Sequence, residues 1–208
     1  ALSERAPDLS KQETFSIRIT CGGPEPVHDA NAIRSVTLPG ALQSVGSYAF
    51  YNCRRLETIT LPQAVTDFGG GALMNCRALH TVVLRAEPNT STCLQKLLGE
   101  HAGELDVRFD GNTPAHLLFP AYTEELEDLS PAHIFQRRIH GAGYGYRQCF
   151  DAGVLSFRQY DLALTGLLER HDFAVAARVA ARRLAVPYAL SDTARDTYLD
   201  CLRAHGSA

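Results

Sequence analysis

Between residues 33 and 84 the apolar positions recur in a fixed order. Ile33, Val36 and Leu38 are followed by Leu56, Ile59 and Leu61, then by Leu79, Val82 and Leu84. The period is 23 residues: Val36 falls on Ile59, Val82 and Leu105, and Leu38 falls on Leu61, Leu84 and Val107. Inside each unit apolar and polar residues alternate, as in Val36-Thr37-Leu38 and Ile59-Thr60-Leu61, which predicts short strands with one buried face. One such strand cannot bury that face alone. Units of this length, stacked at about 4.8 Å, share one parallel sheet and one continuous core. Pro39 and Pro62 have no N–H to give the ladder and end the strands. Gly46 and Gly69 suit a tight bend, and Ala49-Phe50 and Ala72-Leu73 supply a small and a large core residue. Asn52 and Asn75 fit turns, bonding backbone groups there.

The full pattern is I-x-x-V-x-L-P-x-x-L-x-x-V-G-x-x-A-F-x-x-C-x-x-L. It resembles the BspA-like class of bacterial leucine-rich repeats. Two copies are clear, at 33–56 and 56–79; a third, at 79–109, is degenerate. In that third copy Thr92–Glu100 reads as a short helix and Leu105–Phe109 as the next strand. Upstream, Phe15–Thr20 alternates and reads as a capping strand. The resemblance implies a solenoid that presents surfaces rather than one chemistry.

After Asn112 the repeat stops, and Ala115–Pro120 reads as a last strand closing the solenoid. The acidic stretch 123–130 then reads as a solvated connector. Helix signals follow. Ser130-Pro131 opens a helix over 131–140, Ser156 and Gln159 form a capping box for 157–171, Asp172 caps 173–185, and Ser191-Asp192 caps 193–205, where Ala194, Tyr198 and Leu202 form an apolar stripe. The expected fold class is therefore α+β, a short parallel-β leucine-rich-repeat solenoid over 1–120 followed by a helical C-terminal domain over 121–208.

Charge and cysteine usage narrow the function classes. The 208 residues carry a net charge of −3. Residues 1–130 hold a net −6 and residues 131–208 a net +3. Arg137-Arg138 and Arg182-Arg183 are local, and without a continuous basic stripe no nucleic-acid partner is expected. No apolar run approaches the roughly 20 residues of a membrane span, so no membrane insertion is expected. The N-terminal residues are polar and read as no signal peptide, which implies a cytoplasmic protein; a cell-surface or secreted protein is the alternative, if a leader preceding Ala1 is removed. The six cysteines form no C-x-x-C pair, so no metal or cofactor is expected. Cys53 and Cys76, at equivalent repeat positions, read as buried free thiols packing as small hydrophobes in a reducing compartment.

If Val36, Ile59 and Val82 point inward, Ser35, Thr58 and Thr81 point outward, as do Thr37, Thr60 and Val83. Arg34, Glu57 and His80 form a flanking column. This face is the expected binding surface for a protein partner of unknown identity. The segment GAGYGYRQCF (141–150) supplies a second candidate surface, Tyr144, Tyr146 and Arg147, although its tyrosines also suit a core. It lacks the spacing of a phosphate loop. Cys149 with His133 or His140 would make a thiol–imidazole pair only if the fold brought them together. The chain therefore reads as a non-enzymatic interaction module. The resemblance keeps a surface adhesin or carbohydrate binder as the alternative, and a cysteine-dependent enzyme as a third.

Overall fold

The computed structural model describes residues 16–17, 33–129, 134–186 and 188–206. The alternating segments form strands, and each clear repeat contributes to two sheets. Elements β2 (Ser35–Thr37), β4 (Thr58–Pro62), β6 (Thr81–Arg85) and β7 (Leu105–Phe109) lie parallel, and β8 (Ala115–Phe119) pairs antiparallel with β7. On the other side of each rung the two-residue strands β1 (Ser16–Ile17), β3 (Ser44–Val45) and β5 (Asp67–Phe68) form a second parallel sheet. The expected capping strand thus appears at 16–17, paired to β3; its remaining residues lie outside the described set.

The inward positions are filled as the repeat dictates. Ile59, Leu61, Val82 and Leu84 are buried, as are Ala49, Phe50, Ala72 and Leu73. Backbone bonds one residue short of the repeat spacing tie one rung to the next, including Phe50 N to Ala72 O at 2.8 Å and Asn52 N to Met74 O at 3.0 Å. Gly69 is required for close approach rather than for a bend. A Cβ there would stand 2.4 Å from Ser47 N of the preceding rung. The left-handed backbone falls two residues later, at Tyr48 (φ 57°) and Gly71 (φ 70°).

The 23-residue register holds from β2 to β6, where Ser35 pairs with Thr58 and Thr58 with Thr81. It does not hold at β7. Val82 pairs with Val107, not Leu105, and Leu84 with Phe109, not Val107. The third unit carries helix α1 (Leu94–Gly99), with Leu94, Leu97 and Leu98 buried, in place of the short second-sheet strand. The helix lengthens this return path by two residues. An even shift leaves every inward position inward, because side chains alternate with period two.

The second half departs further from expectation. The acidic stretch is strand β9 (Thr123–Leu129), and the expected helix at 131–140 is strand β10 (Ile134–His140). Seven residue pairs join them antiparallel, from Leu129–Ile134 to Thr123–His140. Ser130-Pro131, the expected helix start, lies outside the described residues, as does His133. Cross-strand charges explain the preference: Arg137 bonds Glu124, Arg138 pairs with Glu127, and His140 with Glu125. The helices proper are α2 (Gly143–Arg147), α3 (Phe157–Leu162), α4 (Leu164–Glu169), α5 (Phe173–Leu184) and α6 (Asp192–His205), with a small hairpin of β11 (Phe150–Asp151) and β12 (Val154–Leu155). The segment expected as one helix at 157–171 is therefore two. Ser156 makes no side-chain cap bond and Asp172 none; Gln159 donates instead to Asp151 at 2.7 Å. Ser191 does cap α6, accepting from Ala194 N at 3.2 Å.

The helices close the β8 end of the solenoid. Tyr160 donates to Leu118 O at 2.6 Å, and its ring meets Phe119 and Tyr146 edge-on. One buried cluster runs from Leu38 to Cys201, so the solenoid and the helices share a core.

Candidate functional site

The outward face of the main sheet is built by two side-chain ladders. The register places Ser35, Thr58, Thr81, Asp106 and Leu118 in one, and Thr37, Thr60, Val83, Arg108 and His116 in the other. Ser35 and Thr37 are exposed and Thr58, Thr60 and Val83 half-buried. Thr81 is not part of the open surface: it is 6% exposed and shares a 2.9 Å hydrogen bond with His80 Nδ1. Arg34, Glu57 and His80 do form a column, linked by His80 N to Glu57 O at 3.2 Å and by an Arg34–Glu57 ion pair. At that exposure the pair contributes about 0–1 kcal/mol.

The ladders continue onto residues that the 23-residue reading left out. Asp106 and Arg108 stand on β7, and His116 and Leu118 on β8. Helix α5 walls this end of the face. Ala176, Val179, Ala180 and Arg183 enter the core, while Arg178, Ala181, Arg182 and Ala185 line a hollow with His116 and Leu118. Arg178 holds Glu104 through bonds of 2.6 and 2.8 Å. Asp106 is the hub of the cluster: His116 Nε2 contacts its Oδ1, and Arg108 and Arg182 approach its Oδ2 to 3.5 and 3.8 Å. Burial, opposed by Asp106 and aided by Arg182, holds the His116 pKa below its ordinary value. The two-residue slip at β7 hid Asp106 and Arg108, and only the antiparallel turn brings in His116.

The second candidate surface is largely interior. Tyr146 is fully buried and Arg147 4% exposed, while Tyr144 is half-buried. Arg147 donates to the carbonyls of Pro120, Gly143, His101 and Gly103 and lies over the Tyr122 ring. Burial lowers its pKa to about 10. It fastens α2 to the ends of β8 and of the loop before β7. Gly143 lets that backbone approach, since a Cβ there would meet Pro120 O at 2.1 Å.

The cysteine chemistry is also revised. Cys149 is buried, bonds Gly145 O at 3.3 Å and has its pKa pushed up to about 12, first by burial and then by Asp161. That is the opposite of an activated nucleophile. Cys76 is a buried free thiol at about 11, as its repeat position implies. Cys53 is buried but disulfide-bonded, not the free thiol expected for a reducing compartment. Arg183 is not surface charge: it is fully buried and bonds Asp161 at 2.7 Å, with Tyr198 donating to the same carboxylate. Among the described residues no group of three metal-ligating side chains occurs and no helix is long and apolar enough to cross a membrane.

The rung geometry and the sequence pattern meet in one comparison. A family model described as a BspA type leucine-rich repeat region (6 copies) matches residues 27–95. Residues 27–95 are a BspA-type leucine-rich repeat region. The matched segment ends at the start of α1; β7, β8 and the helical half lie beyond it. Leucine-rich repeats on a solenoid generally mediate protein–protein interaction or surface binding, and are generally non-enzymatic. No curated protein and no solved structure matches the chain.

Proposed function

We propose that this chain is a non-catalytic protein-interaction module whose contact surface is the outward face of the main solenoid sheet. The observation that carries this reading is the pair of ladders themselves. Small or β-branched side chains at Ser35, Thr37, Thr58, Thr60 and Val83 leave the face of β2, β4 and β6 unobstructed. Such faces are the common binding surface of solenoids, because stacked repeats lay equivalent side chains in rows across several rungs. The Arg34–Glu57–His80 column forms one border and α5 walls the far end.

The test is selection of a displayed protein-fragment library on the full chain, followed by binding to Thr37→Lys/Thr60→Lys. Both side chains reach solvent, so lysine there obstructs the face without entering the core. Selected fragments are expected to lose about tenfold or more in affinity. Fragments that bind the double variant as tightly as the native chain would place the contact elsewhere and end the proposal.

A further inference from the structure

We propose, resting on that reading, that the α5 end of the face is a carboxylate-recognition site for an extended segment of a partner protein, with an acidic side chain beside an apolar one. Two contiguous hollows meet at His116 and Ala185. One, of about 290 Å³, is walled by Arg178 and Arg182. The other, of about 420 Å³, has an apolar lining that includes Val83, Phe109 and Val186, with Arg108 and Asp110 at its rim.

The arginine geometry sets the ligand class. Arg108 on β7 and Arg182 on α5 converge on one carboxylate oxygen of Asp106 from two elements, at 3.5 and 3.8 Å. Those separations exceed an N–H···O hydrogen bond. Among the described residues neither guanidinium makes a hydrogen bond, so their forks keep donors to spend. Asp106, only 19% exposed and held by His116 on its other oxygen, orients both forks without saturating them. Glu104 is already taken by both arms of Arg178. A second carboxylate reaching the gap would accept charge-assisted bonds that Asp106 does not, and planar forks favour that geometry. Asp110, exposed on the lining of the apolar hollow, repels an acid placed there and so biases the acid toward Arg182. The apolar hollow beside the forks calls for a hydrocarbon side chain next to the anion. An extended peptide supplies both at once, since residues two apart in its sequence face the same side about 7 Å apart.

The probe is an array of synthetic peptides with a central Leu or Phe and, two residues to either side of it, Asp and Glu, Asn and Gln, or Lys and Arg. It is read on the full chain at low and high salt. The acidic set is expected to bind at least about tenfold tighter than the amide set and to weaken with salt. Arg108→Gln/Arg182→Gln, checked for native circular dichroism, is expected to abolish that preference, and Arg170→Gln, an exposed change at the end of α4, to leave it. Acidic and amide peptides that bind equally, yet are lost on Thr37→Lys/Thr60→Lys, overturn the carboxylate site and leave the face reading standing. Binding by no set, or a preference surviving the double arginine change, overturns the site as well. The fragment library decides the face reading separately.

Discussion

Asn52 and Asn75 hold equivalent corners of successive rungs in the left-handed region, at φ 62° and 65°, and Asn75 Nδ2 donates to Asn52 Oδ1 at 2.7 Å. The residue type answers two demands together. Asn tolerates that conformation better than other residues with a Cβ, and its amide can extend a ladder from rung to rung. Asn75→Ala is therefore expected to cost about 2 kcal/mol, roughly half from backbone strain and half from the lost bond. Asn75→Gly should cost clearly less, because glycine relieves the strain. Urea unfolding measures both; equal costs would show that the backbone conformation is not what selects Asn. The repeat marks these positions as turns, but the ladder between them needs the stacking distance, which no single unit contains.

At the scale of elements, the β9–β10 hairpin stands apart. Leu126 is 73% and Phe135 64% exposed, and the register sets both on one face with Ile139. Two strands alone are marginal in water, and the cross-strand ion pairs hold these two together. Since neither side chain is packed, Leu126→Ser/Phe135→Ser is expected to move stability by no more than about 0.5 kcal/mol. A loss of several times that in urea unfolding would mean that this face is covered in solution. Ser130-Pro131 signals a helix over 131–140, and nothing local in that segment signals the pairing with β9. The acids of 124–128 and the arginines at 137–138 are complementary only once the chain turns back, and local capping signals carry no term for that.

Across the whole molecule the two halves share one core, and two half-buried histidines, His101 and His116, couple it to pH. Burial, with Arg147 adding to the effect, lowers the His101 pKa, and burial likewise lowers that of His116. A lowered folded pKa means that the unfolded chain binds more protons once pH falls below its ordinary value of 6.5. Stability is thus full above that pH and declines below it. The melting temperature should fall steadily from pH 7 to pH 5, with both halves melting in one transition because their core is continuous. His101→Gln/His116→Gln should flatten that slope. A slope unchanged in the double variant would assign the acid sensitivity to other groups, and two separate transitions would refute the shared core.

What the sequence by itself determined is whatever repeats. The inward residues, the strands β2, β4 and β6 and the solenoid were legible because each unit states the same local pattern and stacking only copies it. The bounds of α5 and α6 were legible from local signals, Asp172 and Pro187 around the first and Ser191-Asp192 before the second, although of these two caps only Ser191 makes its bond. Tertiary structure decided the rest. A two-residue lengthening around α1 reset the register at β7, the return of β8 added His116, and α5 set Arg182 against Asp106. None of those residues is near another in the chain by any period, so their meeting depends on how the end of the solenoid is closed. Arg147 makes the same point in reverse: its charge suited a surface, and packing against the end of β8 made it interior, whereas the burial of Tyr146 follows the core reading that its segment also allowed.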